Sequence, residues 1–267
     1  MKSSQYDLRI ARAGQLATQY PFAAQALEFF KAVVVEQAAL HRELAPHGNV
    51  SVRSVDDLRH GILPVPEMIR RFPEFLLKVG TISPPPLAES ARKLSGQATA
   101  DWHTLLTLCW EGSAPQTPTG SSDRALGRMF LQPFAEFLRS CGDVLQESPS
   151  GCPFCSEKPV VGVLRPEGEG GKRSLICSMC GYEWPCNRIL CAACGEQNVE
   201  KLAVYSTEQF PHVRIDACDT CQTYIKTVDL TKTGRAVPIV DEIATLPLNL
   251  WAFDHGYQKL QTNMLGL

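Results

Sequence analysis

Eight of the chain's eleven cysteines form four Cys-x-x-Cys pairs, and that arrangement constrains the fold more than any other feature. The pairs are Cys152/Cys155, Cys177/Cys180, Cys191/Cys194 and Cys218/Cys221. Two intervening residues let a tight turn aim both sulfurs at one point, so each pair supplies half of a tetrahedral site. Twenty-one residues separate the first pair from the second and twenty-three separate the third from the fourth, so the pattern repeats as a unit. The expectation is two consecutive four-thiolate cages, each closed by a hairpin. Sequential pairing, first with second and third with fourth, is the expected arrangement, and an interleaved cross-brace is the alternative.

The flanking residues fit hairpins. Pro159-Val-Val-Gly-Val-Leu-Arg165, a Gly-rich turn at Gly168-Glu-Gly-Gly171 and Arg173-Ser-Leu-Ile176 read as strand, turn, strand. Lys201-Leu-Ala-Val-Tyr205 and Val213-Arg-Ile-Asp216 repeat this in the second unit. Gly181 and Gly195 directly follow the second cysteine of their pairs, where a tight turn demands positive φ. Disulfides are the weaker reading, because the N-terminus carries no apolar signal core and thiols in a reducing compartment stay reduced. A redox-active Cys-x-x-Cys stands alone beside a βαβ pattern, whereas here four occur in two matched sets.

The charge of this region bears on partners. Between Gly151 and Lys226 stand eight Lys/Arg and nine Asp/Glu, a formal charge of −1. Each four-thiolate site holding a divalent ion adds −2, which brings the region to about −5. A nucleic-acid-binding ribbon carries a basic face, so nucleic acid is not an expected partner. No run reaches the apolar length of a membrane helix, so no membrane insertion is expected, and the expected compartment is the cytoplasm.

Before the cysteines the chain reads as helical. Residues 1–20, with Arg9, Arg12 and a glycine, suggest a loosely docked arm. From Ala23 to Val34 apolar residues recur at helical steps, and that helix should reach Leu44. Further helices are expected at 56–61, at 66–77 with an interruption at Pro73, at 87–94, at 101–110, and from Asp123 through Leu145 with a kink at Pro133. Residues 112–122 are an exposed connection and 147–151 a join. After the cysteines, residues 241–253 read as one helix strained at Pro247. The fold class is α+β. An all-helical domain (1–148) precedes a first four-cysteine ribbon (149–188), a second four-cysteine ribbon (189–230) and a C-terminal helical segment (231–267).

Other candidates are weaker. Gly168-Glu-Gly-Gly-Lys172 lacks the spacing of a phosphate loop, and a hairpin turn explains it. The six histidines are scattered, Cys109 and Cys141 fall on apolar helical stripes, and Cys186 lies outside both repeats as a spare thiol. No catalytic constellation emerges, so the chain is not expected to be an enzyme.

Several motifs are similar to the FdhE family of formate dehydrogenase accessory proteins. They are Cys152-Pro-Phe-Cys155 with Pro159–Arg165, Cys177-Ser-Met-Cys-Gly-Tyr-Glu-Trp184 with Arg188, and Cys218-Asp-Thr-Cys-Gln-Thr-Tyr-Ile-Lys226. Asp241-Glu-Ile-Ala-Thr-Leu246, Gly256-Tyr257 and Asn263 extend the resemblance. It departs at Pro185, where the family has His, and in the ending Asn263-Met-Leu-Gly266. The resemblance implies a cytoplasmic maturation factor that binds the catalytic subunit of an exported respiratory formate dehydrogenase, with rubredoxin-like sites associated with iron. Spacing alone leaves zinc and iron open, and leaves a homodimer open. Glu183, Trp184, Arg188, Tyr224 and Lys226 flank the knuckles and are candidate client contacts, the two aromatics equally readable as packing over the cages. The other classes are a rubredoxin-like electron carrier and, against the charge, a zinc-ribbon nucleic-acid binder.

Overall fold

The computed structural model describes residues 4–44, 69–111, 121–142, 151–167 and 170–267. The features expected at 56–61, 112–120, 147–150 and 168–169 lie outside them. Among the described residues, six helices precede the first cysteine pair: α1 (Gln5–Gln19), α2 (Ala24–Leu44), α3 (Phe72–Ile82), α4 (Pro85–Ser95), α5 (Thr99–Glu111) and α6 (Ser121–Cys141).

Where a loose arm is expected within residues 1–20, Gln5–Gln19 form a docked helix. Ser4 opens α1 with a capping box: its Oγ accepts from the Asp7 N–H at 3.2 Å, and its own N–H donates to Asp7 Oδ2 at 2.9 Å. Arg9 and Arg12 are buried because each meets a carboxylate from a distant element. Arg9 Nη1 lies 2.8 Å from Glu136 on α6. Arg12 Nε donates at 3.0 Å to Asp241, which also accepts from the backbone N–H of Val237 and faces His212. Charges that look solvated in the sequence are therefore clamps.

The interruption expected at Pro73 falls just ahead of it: the chain is helical at Ile69, turns at Arg70 and Arg71, and resumes as α3 at Phe72. Pro73 sits in the first turn of α3, where its missing N–H costs nothing. The helix expected at 241–253 is two helices, α7 (Pro238–Ala244) and α8 (Leu246–Asp254), separated at Thr245 (φ −101°, ψ 46°) with Pro247 in the first turn of the second. Pro133 lies inside α6, whose residues from Met129 to Leu138 are all buried. Phe130 anchors that core, with ring centroids 4.9, 5.4 and 5.2 Å from Phe72, Phe75 and Phe134. A fully buried phenylalanine contributes about 1.5–3 kcal/mol.

The cysteine region folds as one seven-stranded sheet. The first unit supplies β1 (Pro159–Glu167), β2 (Gly170–Cys177) and β3 (Glu183–Pro185); the second supplies β4 (Leu202–Ser206), β5 (Val213–Cys218) and β6 (Thr223–Asp229). Within each unit the strands are antiparallel, and the order across the sheet is β3-β2-β1-β6-β5-β4. The seam between units is parallel: Gly162, Val163 and Leu164 of β1 pair with Thr227, Val228 and Asp229 of β6. A short β7 (Gln258–Lys259) pairs with the start of β6 on the same side. The seam needs a glycine, because a Cβ at Gly162 would lie 2.3 Å from Thr227 Oγ1.

Helix α7 packs against α1, α2, β1 and β6, so it joins the helical region to the seam. Beneath it Lys226 of β6 is wholly buried, 2.9 Å from Glu242 of α7. Glu242 also receives Lys259 of β7 and the side-chain amide of Asn263 at 2.8 Å. Burial pushes the Lys226 ammonium down to about 8. Burial also opposes the Glu242 charge, yet Lys226 and Lys259 hold that carboxyl at about 2. The pair is therefore ionised at neutral pH, a buried ion pair that fixes α7 and the tail to the sheet.

Candidate metal centres

The four knuckles share one backbone pattern. In three of them the first cysteine's N–H donates five residues ahead: Cys152 to the Glu157 carbonyl at 2.8 Å, Cys177 to Tyr182 at 2.9 Å and Cys191 to Glu196 at 2.8 Å. The residue after each second cysteine has positive φ: Ser156 (60°), Gly181 (64°), Gly195 (79°) and Gln222 (53°). The two glycines announce this in the sequence, whereas Ser156 and Gln222 do not. Between units the match extends further. The N–H of Ser178 donates to Lys158 at 3.1 Å, and the N–H of Asp219 donates to Lys201 at 2.9 Å. In each unit this bond ties the third cysteine's turn to the lysine just ahead of the unit's first strand.

These turns gather the cysteines in sequential order. Cys152, Cys155, Cys177 and Cys180 form one cluster, and Cys191, Cys194, Cys218 and Cys221 form the other; in each, the sulfurs lie within 4.8 Å of one another. Sulfur separations in the first include 3.6 Å (Cys152–Cys180) and 3.4 Å (Cys155–Cys177), and in the second 3.7 Å (Cys191–Cys221) and 3.8 Å (Cys194–Cys218). Four sulfurs about 2.3 Å from a central ion would stand about 3.8 Å apart, so both clusters fit a tetrahedral site. Backbone donors face the sulfurs: Met179 N–H lies 3.3 Å from Cys177 Sγ, and Ala193 N–H lies 3.4 Å from Cys191 Sγ. Such bonds favour the thiolate. Each cluster could hold one metal ion, and thiolates in this geometry suit iron and zinc alike. All eleven cysteines are free of disulfides.

The surroundings of the two cages differ. The first lies inside the main core with Phe154, Met179, Trp184 and the helices from α2 to α6. Arg128 of α6 spans its two knuckles, donating at 3.2 Å to both Glu157 and Ser178. Gly181 rests against the Arg9–Glu136 pair. Crowding by Cys152 and burial drive the Cys155 thiol well up, and burial with neighbouring thiols does the same for Cys180. An ion must offset that penalty for four thiolates to coexist there. In the second cage Cys194 is exposed and Cys221 half-exposed.

Three of the five expected client contacts are buried. Lys226 is held in the ion pair with Glu242, Tyr224 lies in the sheet's core, and Trp184 packs over the first cage with Tyr182 stacked at 6.5 Å. Glu183 is half-buried in a two-bond pair with Arg165, and Arg188 is exposed. Cys186 lies outside both clusters; its N–H donates to the Arg173 carbonyl at 3.0 Å, and Arg173 Nη1 lies 3.5 Å from its sulfur. His212 is satisfied by Asp241 at 2.9 Å.

A helical region carrying two tandem four-cysteine ribbons in one sheet defines a ribbon protein with two candidate metal centres. The family models agree: residues 151–188 match "FdhE, central domain" and residues 189–265 match "FdhE, C-terminal domain". Residues 151–265 are thus similar to the FdhE family. Among its relatives, an FdhE homolog from Aquifex aeolicus is 36% identical over 116 residues, 43% of this chain and 41% of that protein. One from Pseudomonas aeruginosa is 34% identical over 126 residues, 45% of this chain and 40% of that protein. These matches span about two fifths of the relatives' length. The crystal structure of the FdhE protein from Pseudomonas aeruginosa superposes with a TM-score of 0.68 at 21% identity, covering 99% of this chain and 97% of that one, a likeness of fold.

Proposed function

We propose that this chain is a formate dehydrogenase assembly factor that binds the catalytic subunit in the cytoplasm before export and performs no turnover itself. The observation that carries the reading is the family match over both cysteine modules. Its physical support is the platform they build. Cys152, Cys155, Cys177 and Cys180 hold one metal ion and Cys191, Cys194, Cys218 and Cys221 a second; iron is favoured by the resemblance and zinc is the alternative. The bound ion cross-links turns that are too short to bury a core of their own, so metal binding is coupled to folding. A rigid platform loses little conformational entropy on binding a client. The acidic ribbons favour a protein client over nucleic acid, and no described helix is long and apolar enough to cross a membrane. Glu183 and Arg188 remain the candidate contacts at the surface.

A deletion strain tests this. The expected result is loss of respiratory formate dehydrogenase activity, restored by the full chain and not by Cys180→Ser. Normal activity in the deletion strain, with no catalytic subunit bound to the tagged chain, would refute it.

A further inference from the structure

The two cages share ligands and backbone pattern but have opposite surroundings, and we propose that they divide the work. The first is a permanent staple; the second is an exchangeable site that releases and retakes its ion while the fold stays intact. This rests on the reading that both cages bind metal.

The first cage cannot be reached without dismantling the core. Its four cysteines are all buried, none more than 6% exposed. One knuckle lies against the Arg9–Glu136 pair, and Arg128 ties both knuckles to α6. Freeing a thiolate there means lifting α1 and α6, an opening that also breaks the Phe130 cluster. Exchange at the first cage is therefore coupled to large-scale unfolding.

The second cage is open from two directions. Outward, Cys194 is exposed and Cys221 half-exposed, and Gly195, Asp219, Thr220 and Gln222 around them are exposed as well. Inward, Cys191 and Cys218 help to line a cavity of about 190 Å³ between the ribbons, rimmed by Arg188, Ile189 and Val204. Across the outer rim the Thr220 hydroxyl donates to Glu196 at 2.7 Å, an exposed bond that is cheap to break. An incoming thiol or chelator can replace one cysteine at a time, keeping the ion four-coordinate. The ion leaves with its charge unchanged and no electron moves; each freed thiolate takes a proton from solvent. The matching partner chemistry is a soft, multidentate donor: a low-molecular-weight thiol or a cysteine-bearing peptide.

The test loads the full chain with zinc, confirms two equivalents by native mass spectrometry, and follows transfer to the chromophoric chelator 4-(2-pyridylazo)resorcinol. One equivalent should leave about tenfold or more faster than the other, because a local opening costs less than a sub-global one. The helical circular dichroism should survive loss of that equivalent and fall with the second. Iodoacetamide should label Cys194 and Cys221 before any of Cys152, Cys155, Cys177 and Cys180. Cys194→Ser should abolish only the fast equivalent. Glu196→Gln, which removes no ligand, should accelerate the fast phase and leave the slow one alone. A single phase for both equivalents, labelling that begins in the first cage, or a fast phase that persists in Cys194→Ser would overturn the division of work. Fewer than two equivalents at the start would instead refute the metal reading on which it rests.

Discussion

Replacing Gly162 with alanine tests how the two ribbons are joined. The added Cβ would stand 2.3 Å from Thr227 Oγ1 and 3.3 Å from Thr227 Cβ, across the parallel seam of β1 and β6. Thr227 is fully buried and β-branched, and its hydroxyl donates at 2.8 Å to Asp216, which also pairs with Arg173 and Arg214. Relief has two routes. Turning the threonine gives up a hydrogen bond to a charged group, worth about 1.5–3 kcal/mol. Spreading the strands overpacks a buried seam, which costs about 1–3 kcal/mol. Gly162→Ala should therefore destabilise by about 1–3 kcal/mol, set by whichever route is cheaper. Thr227→Ala removes the offending oxygen, so Gly162→Ala should cost less in that background, with a coupling of about 1 kcal/mol or more. The assay is urea unfolding of the four variants in saturating metal, followed by far-ultraviolet circular dichroism. If the two single costs simply add within about 0.3–0.5 kcal/mol, the seam is not held by this contact.

Other expectations follow from the same geometry. Glu242→Gln leaves the Lys226 ammonium buried without its carboxylate and should cost about 3–5 kcal/mol in urea unfolding, with Lys226→Met partly restoring the loss in the double variant. The pH dependence has a definite sign. The Glu242 carboxyl is held at about 2 in the folded chain, below its unfolded value, so between the two the unfolded state binds more protons. That stabilisation is complete above the ordinary carboxylate range and is lost as pH falls toward about 2, so the stability gap between wild type and Glu242→Gln should narrow from pH 5 to pH 3; a constant gap would contradict it. Gly195 has φ 79° and nothing within 4 Å of an added Cβ, so Gly195→Ala should cost about 1–2 kcal/mol from backbone conformation alone. Gly195→Asn should cost less, since asparagine tolerates the left-handed region.

The cages were legible in the sequence because a tetrahedral thiolate site leaves a local signature, two residues between cysteines and a matched hairpin length. Sequential clustering followed from that spacing, and the glycines at 181 and 195 marked two of the four turns. Ser156 and Gln222 hold the same backbone conformation without advertising it; each cage has one turn of either kind. Long-range pairing was not legible. Arg9 and Arg12 have no local sign of burial, because Glu136 and Asp241 reach them only through the tertiary fold. Lys226 and Tyr224 follow a knuckle and read as surface, but alternation along β6 cannot reveal that α7 covers one face while the core fills the other. The break at Thr245 was hidden because Pro247 fits both a strained helix and the first turn of a new one. The joining of the ribbons into one sheet was equally silent, since it depends on Gly162 meeting Thr227 across two units.

The most direct test of the central claim is a binding measurement between the full, metal-loaded chain and the purified precursor of a formate dehydrogenase catalytic subunit, by native mass spectrometry without oxygen. The expected result is a complex in which the chain carries two metal ions, and no complex with the Cys180→Ser variant. Absence of a complex with the fully loaded chain, or equal binding by chain stripped of both ions, would contradict the claim that the metal-stapled ribbons form the client platform.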